Sequence, residues 1–162
     1  MIQMQIGGLG FDPKNLSPLV LLKDPDEINF LPIWIGIFEA AAIAMEMQGV
    51  RPPRPMTHDL LKETIKALGG EIQKVVINAV TDGTFFSVIE VKKDDKVLQL
   101  DARPSDAIAL AVRSQTPIFV SENVMMQAKL VNAEKDAEET KKFKDFLDNV
   151  KPEDFTKYFK KD

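Results

Sequence analysis

The chain has no cysteine in its 162 residues, one histidine, one tryptophan and one tyrosine. Without thiols there is no disulfide framework, no thiolate zinc site and no cysteine nucleophile, and a reducing cytoplasm is the expected setting. Excess positive charge is missing as well. Lys and Arg total 21 against 25 Asp and Glu, giving a net charge of −4 and a pI near 5.1, so no general attraction to a polyanion is built in. Long apolar runs are also absent: the most apolar stretch, Leu31 to Met45, carries Glu39 and is shorter than the ~20 residues a membrane span needs. Met1 to Gly10 lacks a basic region and is broken by Gly7, Gly8 and Gly10, which predicts that it is no signal peptide.

What is present is enough for one core. An apolar content of 44% over this length predicts a single domain of ordinary size, with no membrane contact. The segment Leu98 to Arg113 resembles Leu31 to Glu46, 67 positions earlier: Leu31 and Ile33 match Leu98 and Leu100, and Glu39 matches Asp106. Leu19 to Leu22 falls opposite Phe86 to Ile89 at the same offset. The pattern predicts two related halves, each of two strands and a helix, sharing one core. The expected class is α+β: a mixed, mostly antiparallel sheet from two related ββα halves, with packed helices and a helical C-terminal extension.

Local signals refine this. Met1 to Ile6, Ser17 to Leu22 and Leu31 to Ile35 read as strands, and Gly36 to Gln48 as a helix ended by Gly49. Arg51-Pro-Pro-Arg-Pro55 cannot be helical and predicts an extended basic connector. Thr57 is the expected cap of a second helix, with Asp59 in its first turn and Leu60, Leu61, Ile65 and Leu68 as an apolar stripe. Glu71 to Val80 and Thr84 to Lys92 flank Thr81-Asp82-Gly83 as a hairpin, Pro104 starts a helix, Pro117 to Val120 forms a short strand, and Ser121 caps a last helix. Trp34, Phe85 and Phe86 are expected in the core. Residues 1–131 form the expected body. Residues 132–162 are expected to be a charged linker and an amphipathic tail carrying Phe143, Phe146, Leu147 and Val150, either docked on the body or ordered by a protein partner.

Five segments taken in order carry a resemblance: Leu31-Pro-Ile-Trp-Ile-Gly36 with Glu39-Ala40; Arg54-Pro-Met-Thr-His-Asp-Leu-Leu61; Asp82-Gly-Thr-Phe-Phe86; Asp101-Ala-Arg-Pro-Ser-Asp-Ala-Ile-Ala-Leu-Ala-Val-Arg113; and Pro117-Ile-Phe-Val120. Together they resemble the bifunctional nuclease (BFN) domain family along roughly residues 2 to 130. The resemblance implies cutting of RNA and DNA, an activity credited to plant members. It supplies no catalytic set.

The candidate site residues follow from chemistry. Phosphodiester hydrolysis commonly uses carboxylates that hold divalent cations, with a cation or imidazole nearby. Glu39, Asp101 and Asp106 are candidate ligands for Mg²⁺ or Mn²⁺, since oxygen donors without cysteine favour hard cations. His58 and Asp59 are candidates for proton transfer, and Arg103 for facing the phosphate. Arg51, Arg54 and Ser105 are candidates for substrate binding. Each has a structural alternative. Glu39 and Asp106 fall near the third helical position, where a carboxylate satisfies free amides and the helix dipole. Asp101 and Arg103 are able to pair within a network that locks the halves together, and His58 to act as a solvated or capping residue.

Three functions stay open at this level: a divalent-metal-dependent nuclease of low sequence specificity, binding RNA or single-stranded DNA weakly; a non-enzymatic interaction or regulatory module with a structural polar cluster; and a binder of a small anion between the halves, anchored by Arg103. Homo-oligomerisation is expected from strand edges and the appended helix.

Overall fold

The computed structural model describes residues 1–133 together with Asp145, Asp148 and Asn149. Its elements run β1 (Ile2–Asp12), β2 (Ser17–Lys23), β3 (Phe30–Trp34), α1 (Ile37–Met47), α2 (Thr57–Ala67), β4 (Gly70–Thr81), β5 (Thr84–Lys93), β6 (Lys96–Ala102), α3 (Pro104–Ser114), β7 (Ile118–Val120) and α4 (Glu122–Ala133). All seven strands join one sheet of order β3-β2-β1-β7-β4-β5-β6. Every pairing is antiparallel except β4 with β7, so the sheet is mixed and the α+β class holds. The order is symmetric about β7, with three strands on each side. α1 and α3 are both 11 residues long and lie 67 positions apart. β1 and β4 add a third strand to each of the expected ββα units. α2 is the addition that only the second half carries.

The sheet's two faces differ. In one cross-strand row Val75 pairs with Ile89 and Ile89 with Leu100; in the next, Val76 pairs with Val88 and Val88 with Asp101. Val75, Ile77, Ile89 and Val91 share a core with Ala40, Ile43, Ala107, Ile108 and Ala111, so their face looks toward α1 and α3. Strand alternation therefore sends Asp101 to the other face. The small residues Ala40, Ala44, Ala107 and Ala111 are all buried and let α1 and α3 approach closely.

Local chemistry explains the boundaries. Asp82 and Gly83 both have positive φ (50° and 77°), the two-residue turn whose twist suits a hairpin between β4 and β5. Pro104 opens α3, where its missing N–H costs nothing. Ser121 caps α4, its Oγ accepting the Val124 amide at 3.3 Å.

Three expectations need correction. Met56, not Thr57, is the cap residue of α2, and its amide donates to Asp59 Oδ2 at 3.0 Å. The apolar stripe of α2 turns mostly outward: Leu60 and Leu68 are 59% and 67% exposed, Leu61 is also exposed, and only Ile65 packs on the core. The inward face of α2 is polar instead, because His58, Asp59 and Lys62 bond to α3. Trp34 and Phe86 are exposed, Trp34 at the end of an outer strand and Phe86 opposite Ala79, while Phe85 does pack against the core. The expected tail helix lies outside the described residues, apart from Asp145, Asp148 and Asn149.

Gly70 is a close-approach glycine where α2 meets β4. A Cβ there would lie 2.8 Å from Val91 Cγ1, 2.9 Å from Ile65 Cγ2 and 3.1 Å from Ile65 O. The last of these is backbone and yields little. Gly70→Ala is expected to lower stability by about 1–3 kcal/mol, the usual cost of overpacking, read as a lower urea midpoint with unchanged slope.

Candidate functional site

Three helices begin at one corner of the molecule, and an arginine ties them. Arg103 ends the segment after β6 and serves as the cap residue of α3, with extended backbone (φ −66°, ψ 143°). Its Nε donates to Asp106 Oδ2 at 2.9 Å and its Nη2 to Glu39 Oε1 at 2.8 Å, joining the first turns of α3 and α1. Asp106 Oδ1 meets His58 Nε2 at 2.9 Å, which adds the first turn of α2. Glu39 and Asp106 do sit in first turns as expected, but their carboxylates turn toward Arg103 instead of capping amides.

The electrostatics follow from these bonds. Burial pushes the Asp106 carboxyl up, yet the hydrogen bonds from Arg103 and His58 hold it below its ordinary value, so it stays ionised. Asp106 and Glu39 in turn raise Arg103 further. An ionised carboxylate only accepts, so the proton between Asp106 and His58 belongs to Nε2 and the basic nitrogen of the neutral imidazole is Nδ1. The Arg103 side chain remains 66% exposed, and two of its five N–H donors are used. Gly36 leaves room for this arrangement, because a Cβ there would collide with Glu39 Oε2.

A second arginine braces the corner from below. Arg113 is buried, and all three of its nitrogens are bonded: Nε to Asp59 Oδ1 at 2.9 Å, Nη1 to Ala109 O at 2.8 Å and Nη2 to Ala42 O at 2.9 Å. It thereby links α1, α2 and α3. Lys62 Nζ adds a bond to Arg113 O at 3.0 Å. Sequence reasoning missed Arg113, although a lone cation at the end of an otherwise apolar helix was the available signal. Burial raises the Asp59 carboxyl, but the Met56 amide and Arg113 outweigh it and leave the group lowered.

The candidates therefore separate. Glu39, Arg103, Asp106 and His58 come together. Asp59 lies beside them but is committed to Met56 and Arg113, which fits a brace better than proton transfer. Asp101 stands on the opposite sheet face, exposed, with no side-chain hydrogen bond or ion pair among the described residues, so the expected trio Glu39, Asp101 and Asp106 does not assemble. Ser105 is buried. Arg51 and Arg54 are exposed on the connector; Arg51 reaches Glu46 at 3.4 Å and is close enough to Asp59 to lower it. A resident divalent ion does not fit this donor set. The guanidinium of Arg103 lies between Glu39 and Asp106, and among the described residues no three His, Asp or Glu side chains are placed to hold a metal.

A family model described as the bifunctional nuclease domain matches residues 20–133. A protein of Mycobacterium tuberculosis (strain ATCC 25618 / H37Rv), which bears only the name of an uncharacterized protein, is 41% identical over 164 residues, spanning 96% of this chain and 98% of its own. Bifunctional nuclease 1 of Arabidopsis thaliana is 29% identical over 108 residues, 64% of this chain and 33% of its own. Bifunctional nuclease 1 of Oryza sativa subsp. japonica is 26% identical over 109 residues, 65% of this chain and 33% of its own. The chain thus spans about a third of the length of these plant proteins.

Removing Arg113 while Asp59 remains is expected to be costly. Arg113→Met should lose about 3 kcal/mol in urea denaturation, because the half-buried Asp59 loses its cation and the carbonyls of Ala42 and Ala109 lose their donor. The acid dependence has a defined sign. Asp59 and Asp106 are lowered in the folded state, so their contribution is fully present above about pH 4 and is lost as pH falls through the folded values. Urea midpoints should therefore drop on acidification below about pH 4, and drop less in Asp59→Asn, which should start from a lower midpoint at neutral pH.

Proposed function

We propose, on the premise that this chain belongs to the bifunctional nuclease domain family, that the corner formed by Arg103, Asp106, His58 and Glu39 binds and hydrolyses phosphodiesters of RNA and DNA with little regard to sequence. One observation carries the reading: an exposed guanidinium is held by two carboxylates where the N-termini of three helices meet. The donors that Arg103 keeps free suit a phosphate, and the helix N-termini supply partial positive charge to the same place. That local field matters in a chain whose overall charge is −4.

Each residue then has a task. Glu39 and Asp106 fix the plane of the guanidinium, so a phosphate meets an oriented fork. Asp106 also fixes the imidazole tautomer and leaves Nδ1 of the buried His58 as the base: as the water oxygen bonds to phosphorus and the P–O bond to the leaving oxygen breaks, Nδ1 takes the water's proton and solvent protonates the leaving oxygen. Arg51 and Arg54 on the rigid connector offer charge to flanking phosphates, a contact that positions a strand without reading it. Phe38, 80% exposed and next to Glu39, offers a ring on which an unpaired base stacks whatever its identity. Mg²⁺ or Mn²⁺, expected from the sequence, has no place in these steps; a demand for either is a separate question for the assay below.

The reading also takes the two halves as copies of one unit, supported by the matched lengths and 67-residue offset of α1 and α3, and places the protein in the cytoplasm, supported by the lack of cysteine. A non-enzymatic interaction module is the second reading. The outward Leu60, Leu61 and Leu68 of α2 favour it.

The test is cleavage of single-stranded RNA and DNA in Mg²⁺, in Mn²⁺ and in chelator, by wild type, Arg103→Ala and His58→Ala prepared identically. Arg103→Ala is expected to lose about 10²–10³-fold, the usual effect of removing one charge-stabilising donor. His58→Ala is expected to lose about 10²–10⁴-fold. Cleavage unchanged in both folded variants would remove this corner from the reaction, and no cleavage by wild type under any condition would leave the interaction module.

A further inference from the structure

Helices cover most of one face of the sheet, but β6 has little cover of its own. It is an outer strand, so one edge of its backbone presents N–H and C=O groups with no strand beside them. Lys96 to Asp101 are all exposed and Ala102 is half-buried. Leu98 and Leu100 are 42% and 40% exposed although they stand on the face that looks toward the helices, and Val97 is 60% exposed.

The other outer strand differs. β3 carries Pro32, which cannot extend a ladder, and its Leu31 and Ile33 are buried. β6 has no proline, and its register with β5 runs without a shift from Lys93↔Lys96 to Ser87↔Ala102. Of the usual devices that keep an edge single, β6 has neither a proline nor a bulge, and its charges, Lys96 and Asp101, stand toward its two ends.

We propose that β6 pairs antiparallel with β6 of a second copy of this chain, about a twofold axis at Gln99, so that two seven-stranded sheets become one. Opposed residues in an antiparallel pair share a face, and a twofold interface requires the strand to complement itself. Centred on Gln99, Leu98 of each copy faces Leu100 of the other, Lys96 faces Ala102 and Val97 faces Asp101. No like charges meet. Centring on Leu98 would set Asp95 against Asp101, and centring on Leu100 would put Leu98 against Ala102 and break the leucine pairs. The self-matching register is the argument for a second copy as the occupant, since a different partner would not require it. This pairing does not depend on the nuclease reading.

The test is mass by light scattering across a concentration series, with far-UV circular dichroism as the check on folding. Wild type is expected to dimerise. L98K/L100K places lysine opposite lysine at both leucine pairs and is expected to be a folded monomer. L98K/L100E places each introduced lysine opposite an introduced glutamate of the other copy and is expected to restore the dimer, most strongly at low salt. A wild type that stays monomeric at every concentration overturns the proposal. So does a dimer that survives L98K/L100K, or an L98K/L100E variant that is as monomeric as the double lysine.

Discussion

Glu39 and Asp106 occupy the first turns of adjacent helices, and packing those helices together brings like charges together. Each acid favours its own helix dipole, but the pair needs a cation between them. Arg103 is that cation, bonded to Asp106 at 2.9 Å and to Glu39 at 2.8 Å. Because it stands where β6 ends and α3 begins, the same residue ties the sheet edge to both helices. Where α1 and α3 approach closely over Ala40, Ala44, Ala107 and Ala111, this arginine offsets the repulsion between their two first-turn acids and sets how the carboxylates are turned.

The two arginines of this half divide their work by exposure. Arg113 is buried with every nitrogen engaged, and its loss would strand Asp59, so its effect falls on stability. Arg103 is two-thirds exposed and its ion pairs are partly screened, so they add little to folding. What they add is orientation. An exposed guanidinium whose plane is fixed on two sides keeps donors in reserve, which is the property a phosphate site needs. His58 joins the arrangement through Asp106, and α2 is held by polar bonds along the side it turns to α3.

Much of the fold was legible in the chain. Alternating strands, the Asp82-Gly83 turn and Pro104 at a helix start each reflect local rules that packing did not override. The convergence of Glu39, Asp106, Arg103 and His58 was legible as a group but not in its geometry, since nothing in the chain says that a guanidinium and not an ion lies between the acids. Asp101 was misplaced for a reason the chain does contain: Leu98 and Leu100 mark the inward parity of β6, and Asp101 has the other. The outward leucines of α2 were not legible, because a 3.6-residue stripe shows that a helix has an apolar face and not which neighbour claims its polar one. The role of Arg113 was not legible, because its partners Asp59 and Ala42 come from distant parts of the chain.

The central claim is that the space between Glu39 and Asp106 belongs to Arg103. A crystal grown with Mn²⁺ and measured for anomalous scattering tests it directly. The account predicts no peak between these carboxylates, with Arg103 Nε and Nη2 still within hydrogen-bond distance of Asp106 and Glu39. A peak there, with Arg103 swung away and both acids turned onto the ion, would contradict it.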